Sequence, residues 1–361
     1  LRCRLGGRGP SHQATAMSVY EIIYGGHKMK YLSLTSAVII GLAGISSAPA
    51  NSDDHKDSGL AKAEIQEWQV PWEDSRPRDP WVHNGTVWFV GQGSDYAATF
   101  NPETEEFKRY DLPDGAGPHT VIVDDRGGWY AGNLMNHIGL IDPVSGDIKK
   151  FELPGDGTRD SHTMDFTSDD NIWFTVQGGN QIGFLETDGG EIELWDVPTD
   201  SARPYGLIVE NDKPWATLFG TNKLATVENG KLREIELDRK DNRPRRLGMT
   251  GDGIIWYVDY NKGYVGSYDP ASGENKDWRA PAEENSRPYG MAVDKRNDVW
   301  FVETGVQPNR LVGFDTETHE FSEPIELESG GGTVRHMFYD EATDSIWFGT
   351  DANTLGVVRL Q

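Results

Sequence analysis

Seven positions recur along this chain at a spacing of about forty-three residues, and they carry Arg78, His119, His162, Tyr205, Arg245, Tyr289 and His336. None is aliphatic. Guanidinium, imidazole and phenol groups bind carboxylates, move protons and hydrogen-bond polar ligands. Residues 64–361 hold six histidines, and three of them fall at this one position. A position used for packing alone would repeat one residue type. Side chains that vary yet stay polar, cationic or ring-bearing are the pattern of a ring facing a ligand.

A second recurring position carries Gly91, Gly132, Val176, Leu218, Asp259, Glu303 and Thr350, with Asp351 next. Its acids belong to the last three repeats, so Asp259, Glu303 and Asp351 are expected on one arc. Carboxylates gathered there repel unless they share a cation, and oxygen ligands suit Mg²⁺ or Ca²⁺. His336 beside such a cation would form a base and Lewis-acid pair. The competing reading pairs these acids with Arg245 or Arg335. Glycine-rich phosphate loops, serine nucleophile elbows and cysteine clusters are absent from the sequence.

The elements that position these residues are marked by tryptophan. Trp88, Trp129, Trp173, Trp215, Trp256, Trp300 and Trp347 stand 41, 44, 42, 41, 44 and 47 residues apart, mostly in runs such as WFV, WYA and WFT. One repeat reads as four short strands: GMAVD at 290–294, VWFVE at 299–303, RLVGFD at 310–315 and EFSEPIEL at 320–327. Four strands per repeat, with no 3.6-residue apolar period, describe a propeller blade. The tryptophans are then core between blades. The seventh repeat ends after its third strand, TLGVVRL, while EIQEWQVP at 64–71 matches the fourth strand EIELWDVP at 191–198. The chain is therefore expected to be an all-β, seven-bladed β-propeller over 64–361, its last blade closed by the N-terminal strand, which removes two open edges. The arginine of Arg76-Pro77, Arg203-Pro204, Arg243-Pro244 and Arg287-Pro288 repeats unchanged and reads as a structural tie between a turn and its neighbouring blade.

Composition bounds the rest. The chain has 361 residues, 34 Lys+Arg against 58 Asp+Glu, and a net charge of −24. Such an acid excess repels phosphate and argues against nucleic acid, and a polyanion would need a local basic site. Met29-Lys30, an apolar stretch from Leu32 to Ile45 and Ala48-Pro49-Ala50 read as a signal peptide over 29–50, too short for a transmembrane span, with 1–28 a mis-called upstream segment and 51–63 a flexible tail. A periplasmic or secreted protein without stable membrane insertion follows. Removing residues 1–50 leaves a net charge of −28 and takes away Cys3, the only cysteine, so stability must come from packing rather than disulfides.

The runs RPYGMAVDKRNDVWFVE, HIGLIDPVSGDIKKFELP and NQIGFLETDGGEIELWDVP resemble repeats of the virginiamycin B lyase (streptogramin lyase) family, and the resemblance spans all seven units. It implies a monomeric propeller that opens a cyclic depsipeptide at its ester by elimination, with Mg²⁺. That family carries Glu-Pro-His and a second Glu in its last blade, and Arg-Pro-His in the blade before. Aligned by the histidine, His336 is the base, Val334 replaces the first Glu, Asp351 stands near the second, and Tyr289 replaces the other histidine. The resemblance thus implies His336 and Tyr289 as catalytic residues. It places Asp351 near a metal ligand, with Glu303 added from the acidic arc, while the ring read above supplies His119, His162, Tyr205, Arg245 and Arg78 as the substrate-binding set. The expected activity is a metal-assisted C–O lyase acting on an ester or uronate. The alternatives are a non-catalytic exported propeller that binds a small ligand or protein at its mouth, and a Ca²⁺-dependent lactonase-like hydrolase.

Overall fold

The structure, a computed structural model, describes residues 18–24, 27–33, 59–157 and 159–361. The chain divides into two units, residues 1–55 and 56–361. In the first, Ser18–Tyr24 pairs antiparallel with His27–Ser33. The segment expected to be a signal lies outside the described residues, except for 29–33 in that hairpin. The second unit is seven four-stranded antiparallel sheets.

Each sheet is one blade. The innermost strands are Pro77–His83, Val121–Asp124, Ser161–Phe166, Pro204–Glu210, Pro244–Met249, Pro288–Val293 and Val334–Asp340. The tryptophans lie on the second strands and are 1–8 % exposed, packed into apolar clusters such as that of Trp129 with Phe151, Met164 and Phe174. Alternation explains the pattern: successive residues of a strand face opposite sides of the sheet, and every blade has a neighbour on both sides.

The seventh blade is closed as the repeats predict. Ala63–Gln69 pairs antiparallel with Thr354–Leu360 over seven residue pairs. Trp68 of this strand stacks on Trp347 at 5.8 Å and meets Phe100 at 4.9 Å. The strand starts one residue earlier than expected. Lys62 also exchanges two backbone hydrogen bonds with Gln361, and Leu60 and Ala61 pack on the core of blade seven. Residues 60–63, expected as tail, are thus part of the blade: Leu60, Ala61 and Ala63 are half-buried against its core, and Lys62 is held by its backbone.

One strand is shorter than its sequence suggests. The outer strand of blade six, expected over 320–327, is only Ile325–Glu326, with an isolated bridge between Phe314 and Phe321. Pro324 has no N–H to donate and interrupts the ladder.

Candidate functional site

The inner strands begin together at one end of the central axis. Their first residues pair with the ends of the second strands: Pro77 with Gly91, Pro204 with Leu218, Pro244 with Asp259, Pro288 with Glu303, and Val334 with Thr350. The residue after each of these belongs to one ring. In six blades it is Arg78, His119, His162, Tyr205, Arg245 and Tyr289, as the repeat implies. In blade seven the register selects Arg335 rather than His336. No proline marks the turn there, and the histidine is one step further along, level with Asp79, Thr120, Thr163 and Arg246. By the same register Val334 stands where four other blades have their proline. His336 instead lines a cavity of about 280 Å³ with Trp81, Met249 and Phe338. Its Nδ1 is enclosed without a partner, and burial, with Arg246 nearby, pushes the imidazole down to about 3. His336→Ala is accordingly expected to retain turnover, measured against the unmodified protein on the same substrate.

The ring residues do meet. The imidazoles of His119 and His162 lie 3.3 Å apart by centroid, and His162 is 4.1 Å from Tyr205. The hydroxyls of Tyr205 and Tyr289 touch in a short hydrogen bond. These rings and Arg78 are only 1–4 % exposed, so they form a packed cluster rather than the lining of an open bowl. Above them lies the half-buried Arg245. Its guanidinium sits 3.7 Å from the ring centre of Tyr289, 4.2 Å from Tyr260, 4.5 Å from Phe219 and 4.9 Å from Tyr205. Among the described residues no carboxylate pairs with it, and its Nε is buried without a partner. Cation–π attraction to four aromatic faces replaces the missing counter-ion.

Beneath the rings is a network that the sequence did not reveal. Asp79, fully buried, accepts hydrogen bonds from Arg78 Nε at 3.0 Å, Arg246 Nη2 at 3.1 Å and the Thr120 hydroxyl at 2.9 Å. Arg246 also donates to Thr163 Oγ1 and to the Arg335 carbonyl, each at 3.0 Å. Blades one, two, three, five and seven are thereby tied across the axis. Burial alone would raise the Asp79 carboxyl, but Arg78 and Arg246 together hold it well below the usual carboxylate range. Arg78 Nη2 lies 2.6 Å from His119 Nε2. A guanidinium can only donate, so His119 carries its proton on Nδ1, which faces Thr120 Oγ1 at 3.1 Å. Burial, reinforced by Arg78 for His119 and Arg246 for His162, keeps both imidazoles neutral.

The two phenols are driven apart. Burial raises Tyr205, but Arg245, Arg246 and Arg78 outweigh it and bring the phenol down to about 8. Tyr289 is raised by burial and by the neighbouring Tyr205. A buried pair with one proton-poor and one proton-rich member is an arrangement for general base and general acid.

The expected metal arc does not form. Glu303 Oε2 accepts from Arg310 Nε at 3.0 Å, and its Oε1 accepts from the Ala282 amide at 2.7 Å. Asp259 pairs with Arg239 at 2.7 Å, while Asp351 is bound by Arg335 and lies 3.8 Å from Arg76. Among the described residues no three His, Cys, Asp or Glu side chains converge as a metal-binding group. Mg²⁺ or Ca²⁺ needs carboxylate oxygens turned to a common point, and these carboxylates, each bound to an arginine, do not fit. A signal for one pair was present: Glu303 and Arg310 are direct cross-strand partners seven residues apart. Asp79 and Arg246 had no comparable signal beyond the Arg245-Arg246 doublet.

The fold and site define a seven-bladed propeller with a buried arginine, histidine and tyrosine cluster at one end of its axis. Residues 60–214 match the model described as the Virginiamycin B lyase family, in agreement with the resemblance read from the repeats. A streptogramin B lyase structure superposes with a TM-score of 0.75 at 23 % identity, over 83 % of this chain and 98 % of that one. A catalytically inactive histidine-to-alanine variant of virginiamycin B lyase from Staphylococcus aureus, with quinupristin, gives the same TM-score and identity, over 83 % and 100 % of the two chains. The extracellular domain of a one-component system from B. thetaiotaomicron gives 0.63 at 14 % identity, over 83 % of this chain and 40 % of that one. No curated protein matches. Among the described residues no helix is long and apolar enough to cross a membrane.

Proposed function

We propose that the protein is an exported carbon–oxygen lyase that eliminates across a carboxylate-bearing carbon, with a uronate as substrate. The observation that carries this reading is the Tyr205–Tyr289 hydroxyl pair beneath an arginine that has no carboxylate partner. A substrate carboxylate would draw Arg245 out of its aromatic cage, uncover the two phenols and receive Arg245 and Arg335 as counter-ions. Neutralising that carboxylate makes the adjacent C–H more acidic. Tyr205, as tyrosinate, takes the proton, and Tyr289 gives one to the departing oxygen. One C–H and one C–O bond break, one C=C forms, and there is no net oxidation. Arginine supplies the positive charge, so no step depends on a metal.

The test is to incubate the full chain with oligogalacturonate and follow new ultraviolet absorbance, which a conjugated double bond produces and which hydrolysis or plain binding does not. The rate is expected to rise as pH increases through about 8, where Tyr205 loses its proton. No new absorbance across that range would rule out the elimination. A second reading, a non-catalytic propeller binding the same anions, is favoured by the burial of both phenols beneath Arg245.

A further inference from the structure

The recurrent arginines before proline do not all act as structural ties. Only Arg243 is folded back, with Nη1 donating to the Asn242 carbonyl and its amide donating to Asp259 Oδ1 at 3.0 Å. Arg76, Arg203 and Arg287 are exposed. Their backbones sit in the left-handed region, at φ of 48°, 55° and 42°. There a side chain with a Cβ is disfavoured, and glycine or asparagine is the easy choice. Arginine stands there in three blades, where its carbonyl accepts a backbone hydrogen bond from Gln92, Phe219 or Thr304.

Among the described residues their guanidinium groups have few partners. No hydrogen bond or ion pair among the described residues engages the Arg287 guanidinium. Arg203 only overlies Phe219, at 5.6 Å, the ring that Arg245 also covers from 4.5 Å. Arg76 makes a 3.8 Å contact with Asp351, which is already held by Arg335. All three precede the first residue of an inner strand, so they surround the opening over the Tyr205–Tyr289 pair. Five arginines, 76, 203, 245, 287 and 335, thus gather at one end of a protein whose net charge is −24, and among the described residues Asp351 is the one carboxylate paired with any of them. Such a patch is the local exception that a polyanion would need in order to approach.

We infer that Arg76, Arg203 and Arg287 form an outer collar that binds the flanking carboxylates of an extended oligouronate while its central unit occupies the inner cluster. This rests on the uronate reading above and adds that the substrate is a chain rather than a single sugar. The aromatic faces of Phe219 and Tyr260 beside the collar favour sugar rings over an acidic peptide.

The experiment compares galacturonate, hexagalacturonate and hexaglutamate by calorimetry with the full chain, at low and high salt. The hexasaccharide is expected to bind at least about tenfold tighter than the monosaccharide, through several linked contacts, with an advantage that falls as salt rises. In Arg203→Gly/Arg287→Gly that advantage should shrink to about twofold or less. Glycine suits the left-handed backbone, so this variant should fold, and Arg203→Asn/Arg287→Asn provides a second version with the same expectation. An unchanged advantage in both variants would overturn the collar. Equal affinity for hexaglutamate would overturn its assignment to sugars. Tight collar-dependent binding without new absorbance would sink the elimination reading alone, and absorbance without any chain-length advantage would sink the collar alone.

Discussion

Tyr205→Phe is expected to lower turnover by about 10²–10⁴-fold and to abolish the rise in rate near pH 8. The substitution removes one oxygen from a ring that is 4 % exposed and leaves its packing against His162 and Phe219 in place. The hydroxyl it removes meets Tyr289 and the Arg245 guanidinium, so the fold loses buried hydrogen bonds worth about 1–3 kcal/mol each at most. Substrate affinity depends on the arginines and should persist. Turnover and binding therefore separate, which a merely structural role for Tyr205 would not produce. A variant that keeps both its rate and its alkaline limb would remove Tyr205 from the chemistry.

Asp79→Asn should have the largest effect on stability, a loss of about 3–5 kcal/mol. Asp79 is the one carboxylate bonded to both Arg78 and Arg246, and all three side chains are at least 95 % buried. Asparagine tolerates the residue's left-handed φ of 46°, so the substitution tests charge rather than backbone fit. The pH dependence has a definite sign. The folded carboxyl is depressed, so its contribution is complete above the unfolded value near 4 and is lost progressively as pH falls below it. Denaturant melts of the two proteins should therefore differ most at neutral pH and converge in acid. With Arg78 and Arg246 no longer neutralised, the alkaline limb due to Tyr205 should also move below pH 8. Equal stability at neutral pH would mean that the network across the axis contributes nothing.

The propeller was legible because one residue type, tryptophan, repeats at a nearly fixed spacing, and because EIQEWQVP duplicates a known fourth strand. The site was legible only in part. Six ring positions follow a proline or its equivalent, and the strand register keeps them together. The seventh lacks that proline, so the sequence favours His336 where the backbone places Arg335. Pairing decided the acids: Arg335, a partner the sequence offered, does hold Asp351, and Arg310 stands seven residues from Glu303, but Arg239 reaches Asp259 without such a signal. Asp79 was invisible for a related reason. Its role depends on Arg246, 167 residues away, and no local pattern encodes that distance.

The strand that closes blade seven is made first and used last. Ala63–Gln69 cannot find Thr354–Leu360 until the whole ring has been synthesised, and Gln66 meets Arg359 across 293 positions of sequence. Bringing ends together over such a span costs about 1.7 kcal/mol more than closing one blade's length of chain, since the entropy grows only with the logarithm of the loop. Seven ladder pairs and the Trp68 stack offset it. The seventh blade therefore acts as a completion check: a truncated chain offers no partner for its own beginning, and its ring stays open.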